Sequence, residues 1–335
     1  MFSFDATEVE VSPESPPYEL APGAIDPRIL NLSYSGLLTL HSCPRRFELE
    51  KLAATSDVTE HIDDTITYSY GHVVGLGIQM LLERRSWEDI MFACAMQWTA
   101  PLWASNPKQN KSFAQAMFAL EKFRAMQNQG YLDGFSLVHY NSKPACELSF
   151  LIDLPGGYKY RGFVDAVLQH DETGKVVVLE CKTSSATNLN PAQYRNSAQA
   201  IGYSIVLDAI FPDLSSYEVL YLVYSTKELE YTQYSFTKSY VQRARWIQEL
   251  VLDTRTIDMY SEAGIFPMRG ESCFDYYREC KYLGLCQMDN ERLTKPLTQD
   301  EFVAFSKRNE EYQIVISLDD LIHAQLAKAN ATIED

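Results

Sequence analysis

The hydrophobic pattern changes its period along this chain, which separates a helical region from a later region of strands. Apolar residues recur at helical spacing in 80–98 and again in 112–130, and Pro101 and Pro107 break the pattern between them. These segments predict a helical lobe over about residues 71–140. Aromatic residues of the lobe are candidates for core packing or for stacking with bases: Trp87, Trp98, Trp103 and Phe113.

Short apolar runs bounded by turn residues follow the lobe, and they predict a catalytic core over about residues 145–262. The predicted strands are 145–152, 158–170, 176–182, 217–225 and 230–236, with a helix at about 239–262. A turn at 171–174 makes an antiparallel hairpin the expected arrangement of the second and third strands. Because strand side chains alternate between faces, Glu180 and Lys182 project together.

Three charged residues of this hairpin have the spacing needed for metal-assisted cleavage of a phosphodiester bond. In an antiparallel pair Asp165 can lie beside Glu180, within reach of one divalent cation. Such oxygen ligands suit Mg²⁺ or Mn²⁺, which lower the pKa of a bound water and neutralise charge on a phosphate. Lys182 would orient that water or stabilise the same charge. The alternative is an ordinary surface Asp with a Glu and a Lys at a strand end.

A helix beginning near Pro191 adds two polar residues on one face, because Gln199 and Tyr203 are four positions apart. With this helix the chain resembles the RecB-like branch of the PD-(D/E)xK nuclease superfamily. The motifs of that branch are a GxxD strand, a (D/E)xK strand and a QxxxY helix. In this chain they are Gly162 with Asp165, Glu180 with Lys182, and Gln199 with Tyr203.

The resemblance implies an α/β fold with a PD-(D/E)xK restriction-endonuclease-like core, in which helices flank a mixed central sheet and a helical lobe is inserted. The implied activity is metal-dependent hydrolysis of DNA, by an exonuclease acting on single-stranded ends in recombination or repair. Asp165 and Glu180 would hold Mg²⁺ or Mn²⁺, with the backbone carbonyl of Cys181 as a further ligand. Gln199 and Tyr203 would contact the DNA backbone and the catalytic lysine.

Seven cysteines, without a signal peptide or a long apolar segment, predict a reducing cytoplasm, that of a bacterial cell or a phage-infected host. Four thiolates are what a [4Fe–4S] cluster needs. Iron-sulfur nucleases that this chain resembles have one cysteine before the core and three after it. The resemblance therefore implies a structural cluster on Cys43, Cys273, Cys280 and Cys286.

The spacing of the late cysteines departs from the commonest family pattern, in which two residues separate the first two. In this chain six residues lie between Cys273 and Cys280. The alternatives are zinc, for which these gaps are long, and incidental thiols. The remaining three cysteines lie in apolar contexts and are predicted core residues: Cys94, Cys146 and Cys181.

A metal-binding histidine is commonly found in these families four residues after a glycine in the helix before the core. In this chain Gly71 is followed at that spacing by Gly75, whereas His72 lies about one helical turn away. His72 is therefore a candidate metal ligand, with a purely structural role as the alternative.

Composition bounds the size of the core without identifying a substrate. The 335 residues, 46% of them hydrophobic, suffice for one large core with a helical lobe. An acidic, Pro-rich extension is predicted at 1–28, a nuclease domain at 29–290 with a cysteine segment at 273–286, and a C-terminal extension at 291–335. The formal net charge of −16 argues against broad electrostatic binding to DNA. No apolar segment predicts a membrane span.

Two other functions explain parts of the pattern. A nucleic-acid-binding or recombination-accessory protein with a degenerate site would explain Gly75 and the acidic composition. A zinc-stabilised interaction protein would explain the cysteines if the acidic motif were incidental. A nuclease assay with Mn²⁺ separates the first from an enzyme, and iron and sulfide analysis separates the second.

Overall fold

A mixed β-sheet with helices on both faces lies at the centre of the protein. The computed structural model describes residues 26–52, 62–186, 189–275, 278–286 and 312–334. Residues 1–25 of the predicted N-terminal extension and 291–311 of the predicted C-terminal extension lie outside these ranges.

Helices precede, separate and follow the strands along the chain. The strands are β1 (Asn31–Leu32), β2 (Ser105–Asn106), β3 (Lys111–Ser112), β4 (Phe135–Leu137), β5 (His139–Tyr140), β6 (Lys143–Pro144), β7 (Cys146–Asp153), β8 (Lys159–His170), β9 (Val176–Ser184), β10 (Ser216–Ser225), β11 (Glu230–Ser239), β12 (Phe274–Asp275), β13 (Arg278–Glu279) and β14 (Ile314–Ser317). The α-helices are α1 (Tyr34–Ser42), α2 (Pro44–Phe47), α3 (Ile62–Leu82), α4 (Trp87–Gln97), α5 (Phe113–Asn128), α6 (Ala192–Arg195), α7 (Ala198–Gly202), α8 (Ser204–Ile210), α9 (Tyr240–Glu262), α10 (Leu283–Cys286) and α11 (Leu318–Glu334).

Within the described ranges, eight strands form one sheet with the main order β11-β10-β9-β8-β7-β14, and β1 and β4 also pair with β8. The neighbours β7, β8 and β9 run antiparallel, as do β10 and β11. By contrast, β9 is parallel to β10 and β14 is parallel to β7. This arrangement confirms the predicted mixed sheet, and the five strands predicted for the core are all present.

The alternation of side chains along the strands produces two cores, one on each face of the sheet. Val176 and Val178 of β9 pack in a core that includes residues of α1, α7 to α9 and α11. Val177 and Leu179 pack on the other face, against α3, α4 and α5. The predicted division of this strand into two faces is therefore confirmed, and the helical lobe covers one face of the catalytic core.

Two helical predictions were wrong about continuity. The 80–98 segment is divided between α3 and α4, because Arg84 has a left-handed backbone, φ 57°, and Ser86 caps the start of α4 with its side chain. The helix predicted from Pro191 consists of α6, α7 and α8, with extended backbone at Ser197 before α7.

Residues 312–334, from the predicted C-terminal extension, pack onto the core. β14 adds a strand beside β7, where the Gln313 side chain accepts from Ser149 N at 2.9 Å and Gln313 N donates to Ser149 Oγ at 3.1 Å. From α11, Lys328 Nζ donates to Asp208 Oδ1 at 2.6 Å. This segment is thus part of the sheet that carries the site, and it covers the edge of β7.

Candidate active site

The β8–β9 hairpin brings the GxxD and (D/E)xK motifs together. Its antiparallel register pairs Ala166 with Leu179, so Asp165 and Glu180 follow directly at the end of that ladder. Gly162 is needed for close packing, because a Cβ there would lie 2.3 Å from the ring of Phe150 on β7. The glycine of the motif therefore lets β8 approach its neighbour, and the aspartate three residues later reaches the acidic partner.

Glu180 is the centre of a buried polar network and is only 1% exposed. One carboxylate oxygen pairs with Lys182 Nζ, and the other accepts a hydrogen bond from the Tyr203 hydroxyl. Lys182 Nζ also donates to Gln199 Oε1 at 3.0 Å. Burial lowers the pKa of Lys182, but the charges of Glu180 and Asp165 raise it by more, so the pKa lies above its usual value. The lysine is therefore a cation at neutral pH.

Asp165 is only partly buried, and its Oδ2 accepts from the backbone N–H of Cys181 at 2.8 Å. Desolvation raises the pKa of Asp165 well above the usual range, and the negative charges of Glu180 and Glu147 raise it further. Lys182 and the backbone hydrogen bond act in the opposite direction without cancelling these effects. Lys182 and the backbone N–H thus balance only part of the negative charge of Asp165, Glu180 and Glu147.

A cavity of about 360 Å³ lies between α3 and the sheet. Its lining includes these residues: Gly71, His72, Gly75, Gln79, Glu147, Asp165, Cys181, Lys182 and Thr183. Glu180 is not part of the lining and lies behind it. Of the predicted site residues, Asp165, Cys181, Lys182 and His72 therefore share one cavity, whereas Gln199 and Tyr203 support it from the side of Glu180.

Glu147 is a residue of the cavity that the sequence did not predict. It lies on β7 with a left-handed backbone, φ 46°, and none of the described residues hydrogen-bonds or ion-pairs with its carboxylate. Glu147 is exposed as a whole residue, but desolvation of its carboxylate by the cavity wall raises its pKa, and the charge of Glu180 contributes. The surrounding residues 145–152 have an ordinary strand pattern, so only the backbone conformation distinguishes this position.

The wall formed by α3 contains both His72 and the position where a histidine was expected. The His72 ring lies 4.2 Å from the ring of Tyr68, measured between centroids. His72 is exposed as a whole residue, but partial desolvation of its ring lowers its pKa, which favours the neutral imidazole that metals bind. A Cβ on Gly75 would meet no atom within 4 Å. The expected histidine position is therefore open space, and His72 reaches the same cavity.

The residues of the cavity suit a divalent cation by their chemistry. Carboxylate oxygens are the ligands of Mg²⁺ and Mn²⁺, and the unusual pKa of Asp165 reflects negative charge that such a cation would compensate. Across the described ranges, no three His, Cys, Asp or Glu side chains are already arranged as ligands around one point. The metal-binding roles of Asp165, Glu180, Cys181 and His72 therefore remain predictions.

The cysteine segment meets the first helices of the chain. Cys43 is buried at the junction of α1 and α2. The β12–β13 hairpin brings Cys280 to Cys273, with Cys280 N donating to Cys273 O at 2.8 Å. Ser272 Oγ donates to Ser42 O at 2.7 Å. The six-residue gap is thus closed by a hairpin, and it does not separate the two cysteines.

The fourth cysteine lies within electrostatic range of the other three. Burial raises the pKa of Cys286, and the neighbouring Cys43, Cys273 and Cys280 raise it as well, against the lowering effect of Arg45. All four are free thiols that do not surround one point at ligand distances. The predicted ligands are therefore neighbours in space, and their role as a cluster site is a proposal.

The other cysteines divide between core and cavity. Cys94 and Cys146 are buried as predicted, and burial raises their pKa values to about 11 and about 12. The prediction for Cys181 was incomplete, because its side chain packs on the core and also lines the catalytic cavity.

A mixed sheet whose central hairpin carries two carboxylates and a lysine is the arrangement of a metal-dependent nuclease. The PD-(D/E)XK nuclease superfamily matches residues 31–287 of this chain. The chain therefore belongs to the PD-(D/E)XK nuclease superfamily, which confirms the superfamily and the fold predicted from its motifs.

Two solved structures also align with the chain. One is the crystal structure of an assumed exonuclease from Eubacterium rectale, which is 14% identical in sequence to this chain. The alignment covers 73% of this chain and 86% of that chain, with a TM-score of 0.44. The other is SSO0001, 16% identical, with 76% of this chain and 98% of that chain covered and a TM-score of 0.28. Among curated proteins, none matches at a significant level.

The described helices include none with the length and apolar character needed to cross a bilayer.

Proposed function

We propose that this nuclease hydrolyses phosphodiester bonds of DNA and acts on single-stranded ends. The observation that carries the proposal is the network of Glu180, Lys182, Gln199 and Tyr203 directly behind the cavity that contains Asp165. The cavity lies between a helix and the sheet, which suits a flexible strand better than a rigid duplex.

In this proposal the carboxylates bind the metal ion and the lysine stabilises charge on the phosphate. Asp165 and Glu180, with the backbone carbonyl of Cys181, would hold Mg²⁺ or Mn²⁺. When bound, such an ion lowers the pKa of a water and neutralises charge on the phosphate. Lys182 donates hydrogen bonds and positive charge toward the reacting phosphate, because its raised pKa excludes it as a proton acceptor at neutral pH.

Gln199 and Tyr203 receive positioning roles in this proposal, in place of the predicted contacts with the DNA backbone. Tyr203 is 1% exposed and donates to Glu180, so it holds the orientation of that carboxylate. Gln199 accepts from Lys182, so it holds the ammonium group beside the cavity. Both residues would act on the reaction through the group that they contact.

A cleavage assay with matched lysine variants tests the proposal. Lys182→Ala should lower the cleavage rate at least about 100-fold, because a positioned charge is lost. Lys175→Ala is the control, since Lys175 lies just before the same strand and pairs with Glu218 at the surface. The substrates are 5′- and 3′-labelled single and double strands with Mn²⁺. Full activity of Lys182→Ala would exclude the assigned site, and equal cleavage of duplex would exclude the single-strand preference.

We also propose that the four neighbouring cysteines hold a structural [4Fe–4S] cluster. The support is that Cys286 lies within electrostatic range of Cys43, Cys273 and Cys280, and that Cys280 N bonds to Cys273 O. Four thiolates are the usual ligand set of such a cluster. Protein purified without oxygen should contain iron and sulfide, and zinc in their place would identify a different structural metal.

An accessory protein that binds nucleic acid without cleaving it is the second candidate function. It is favoured by one observation, the open space at Gly75 where related nucleases have a metal-binding histidine. The same assay distinguishes it, because wild-type protein would then bind the labelled strands and leave them intact.

A further inference from the structure

An exposed aromatic side chain lies beside the cavity, on the wall formed by α3. Tyr68 is 64% exposed although it belongs to a helix whose other face is buried against the lobe. Its ring packs against the ring of His72, one turn later, with 4.2 Å between centroids and an interplanar angle of 48°. The two rings form a small aromatic surface, and His72 continues that surface into the cavity.

The path from this surface to the predicted catalytic residues is short. A Cβ on Gly71 would lie 3.9 Å from Thr183 Oγ1, so α3 approaches β9 directly after Lys182. Gly71 and Gly75 line the cavity and have no side chains that could obstruct it. A DNA strand with a phosphate beside Lys182 would therefore bring an adjacent base toward the rings of His72 and Tyr68.

The charge of the protein makes a contact of this kind necessary for affinity. With a formal net charge of −16, phosphate contacts supply little general attraction for DNA. Lys182, the cation that lines the cavity, is already engaged by Glu180 and Gln199. Stacking of a base on an aromatic ring needs no charge and is strong for an unpaired base, whose face is free.

We propose that Tyr68, supported by His72, is a stacking site for an unpaired base next to the phosphate that enters the cavity. This inference rests on the proposed function, because it takes DNA as the substrate. It assigns the preference for single strands to the aromatic surface on α3. Bases in a duplex already stack on their neighbours and would have to unpair before they could bind there.

Binding measurements on uncleaved DNA test this site separately from catalysis. The probe is a fluorescent single-stranded oligonucleotide, titrated in Ca²⁺ so that binding is read without turnover. Tyr68→Ala should weaken binding about tenfold, because stacking contributes on the order of 1–3 kcal/mol per base. Tyr68→Phe should bind as wild type does. Phe92→Ala on α4 is the control, because Phe92 is 70% exposed and does not line the cavity.

A series of oligonucleotides with one abasic position each identifies the partner base. Wild-type protein should bind the oligonucleotide that lacks one particular base about tenfold more weakly than the intact oligonucleotide. Tyr68→Ala should bind these two oligonucleotides equally. The ratio between the two proteins should stay constant as salt rises, because no charge is involved. Equal abasic losses in both proteins, or unchanged affinity of Tyr68→Ala, would overturn the stacking site. If wild-type protein showed the expected stacking but did not cleave DNA, the stacking site would stand and only the proposed function would be contradicted.

Discussion

The catalytic cavity and the cysteine segment both join parts of the chain that are far apart in sequence, but they are built differently. The charged cavity residues lie on long paired strands, where the β8–β9 ladder ends at Ala166 and Leu179 and Asp165 bonds to Cys181 N just beyond it. Of the late cysteines, Cys273 and Cys280 flank the two-residue strands β12 and β13 and Cys286 ends the four-residue helix α10, and all three are partly exposed. One site is therefore fixed by a continuous sheet and the other by a few local hydrogen bonds.

The partners of the side chains differ in the same way. Behind the cavity, Glu180 contacts Lys182 and Tyr203, and Asp165 in the cavity accepts from a backbone N–H. In the cysteine segment the described thiols are close to one another without surrounding a common point. The contacts of the cavity are therefore complete without a metal, whereas the proposed cluster would add to the few contacts that hold the cysteine segment.

The largest effect should come from removing one carboxylate of the cavity. Asp165→Asn should lower the cleavage rate about 1000-fold, because a predicted metal ligand is lost. The stabilisation that Mn²⁺ gives to the wild type in thermal unfolding should disappear. Without metal the variant should be at least as stable as wild type, since Asn removes a negative charge next to Glu180 while keeping the acceptor for Cys181 N.

Asp171→Asn is the matched control, because Asp171 is exposed at the turn of the same hairpin. It should retain both the cleavage rate and the response to Mn²⁺. If metal-free Asp165→Asn unfolded well below metal-free wild type, the Asp165 carboxylate would itself be needed to hold the cavity together, and the contrast between the two regions would fail.

The next largest effect should come from the cysteine segment. Cys280→Ser should lose iron and sulfide, and its free energy of unfolding should fall by about 3 kcal/mol, because a link between distant parts of the chain is broken. Cleavage well below the unfolding temperature should change little. The measurements are metal content, thermal unfolding and rate.

Cys94→Ala provides the comparison, because Cys94 is buried in the helical lobe and its removal weakens packing only. This variant should lose stability while keeping its iron. A Cys280→Ser protein as stable as wild type would show that hydrogen bonds such as that from Ser272 to Ser42 suffice to hold the segment.

The parts of the site that the sequence predicted correctly depend on local rules. Strand alternation placed Glu180 and Lys182 on one face, and the turn at 171–174 predicted the hairpin that brings Asp165 to them. The four-residue spacing of Gln199 and Tyr203 likewise survives the division of their helix, since both side chains reach the same network.

The parts that were missed depend on tertiary structure. The left-handed backbone of Glu147 has no signal in a segment that has an ordinary strand pattern. The pairing of β14 with β7 joins residues more than a hundred positions apart in parallel, and no hairpin turn marks such a contact. The ring pair of Tyr68 and His72 is visible in sequence only as a four-residue spacing on a helix.

A smaller effect should follow from filling the open position on α3. Gly75→His should bind Mn²⁺ about tenfold more tightly, because the side chain enters free space beside the carboxylates and adds a ligand. It should also gain up to about 1 kcal/mol in stability, since glycine is unfavourable inside a helix. Titration calorimetry and thermal unfolding measure the two effects.

Gly77→Ala is the control on the same helix. Its Cβ would lie 2.2 Å from Leu120 Cδ1, so this variant should be less stable than wild type and unchanged in metal affinity. Unchanged Mn²⁺ affinity of Gly75→His would mean that the cavity, although open at this position, does not direct a histidine toward the ion.

The smallest effect concerns a buried lysine that supports the segment before Gln199. Lys238 is fully buried on β11, and its Nζ donates to the backbone carbonyls of Tyr194 (3.2 Å) and Arg195. Burial lowers its pKa to about 8, whereas the unfolded chain keeps the ordinary value near 10.5. Above pH 8 the unfolded state therefore binds more protons than the native state, so the free energy of unfolding should rise with pH.

Lys238→Met should lack this rise, and the difference between the two proteins should change by about 1 kcal/mol between pH 7 and pH 9. Denaturant titrations at several pH values measure it, and the exposed Lys143→Met controls for the loss of one positive charge. Cleavage should fall only a few-fold in Lys238→Met if the sheet alone positions Gln199. A loss as large as that of Lys182→Ala would show that the Gln199 side of the cavity depends on the contacts of Lys238 alone.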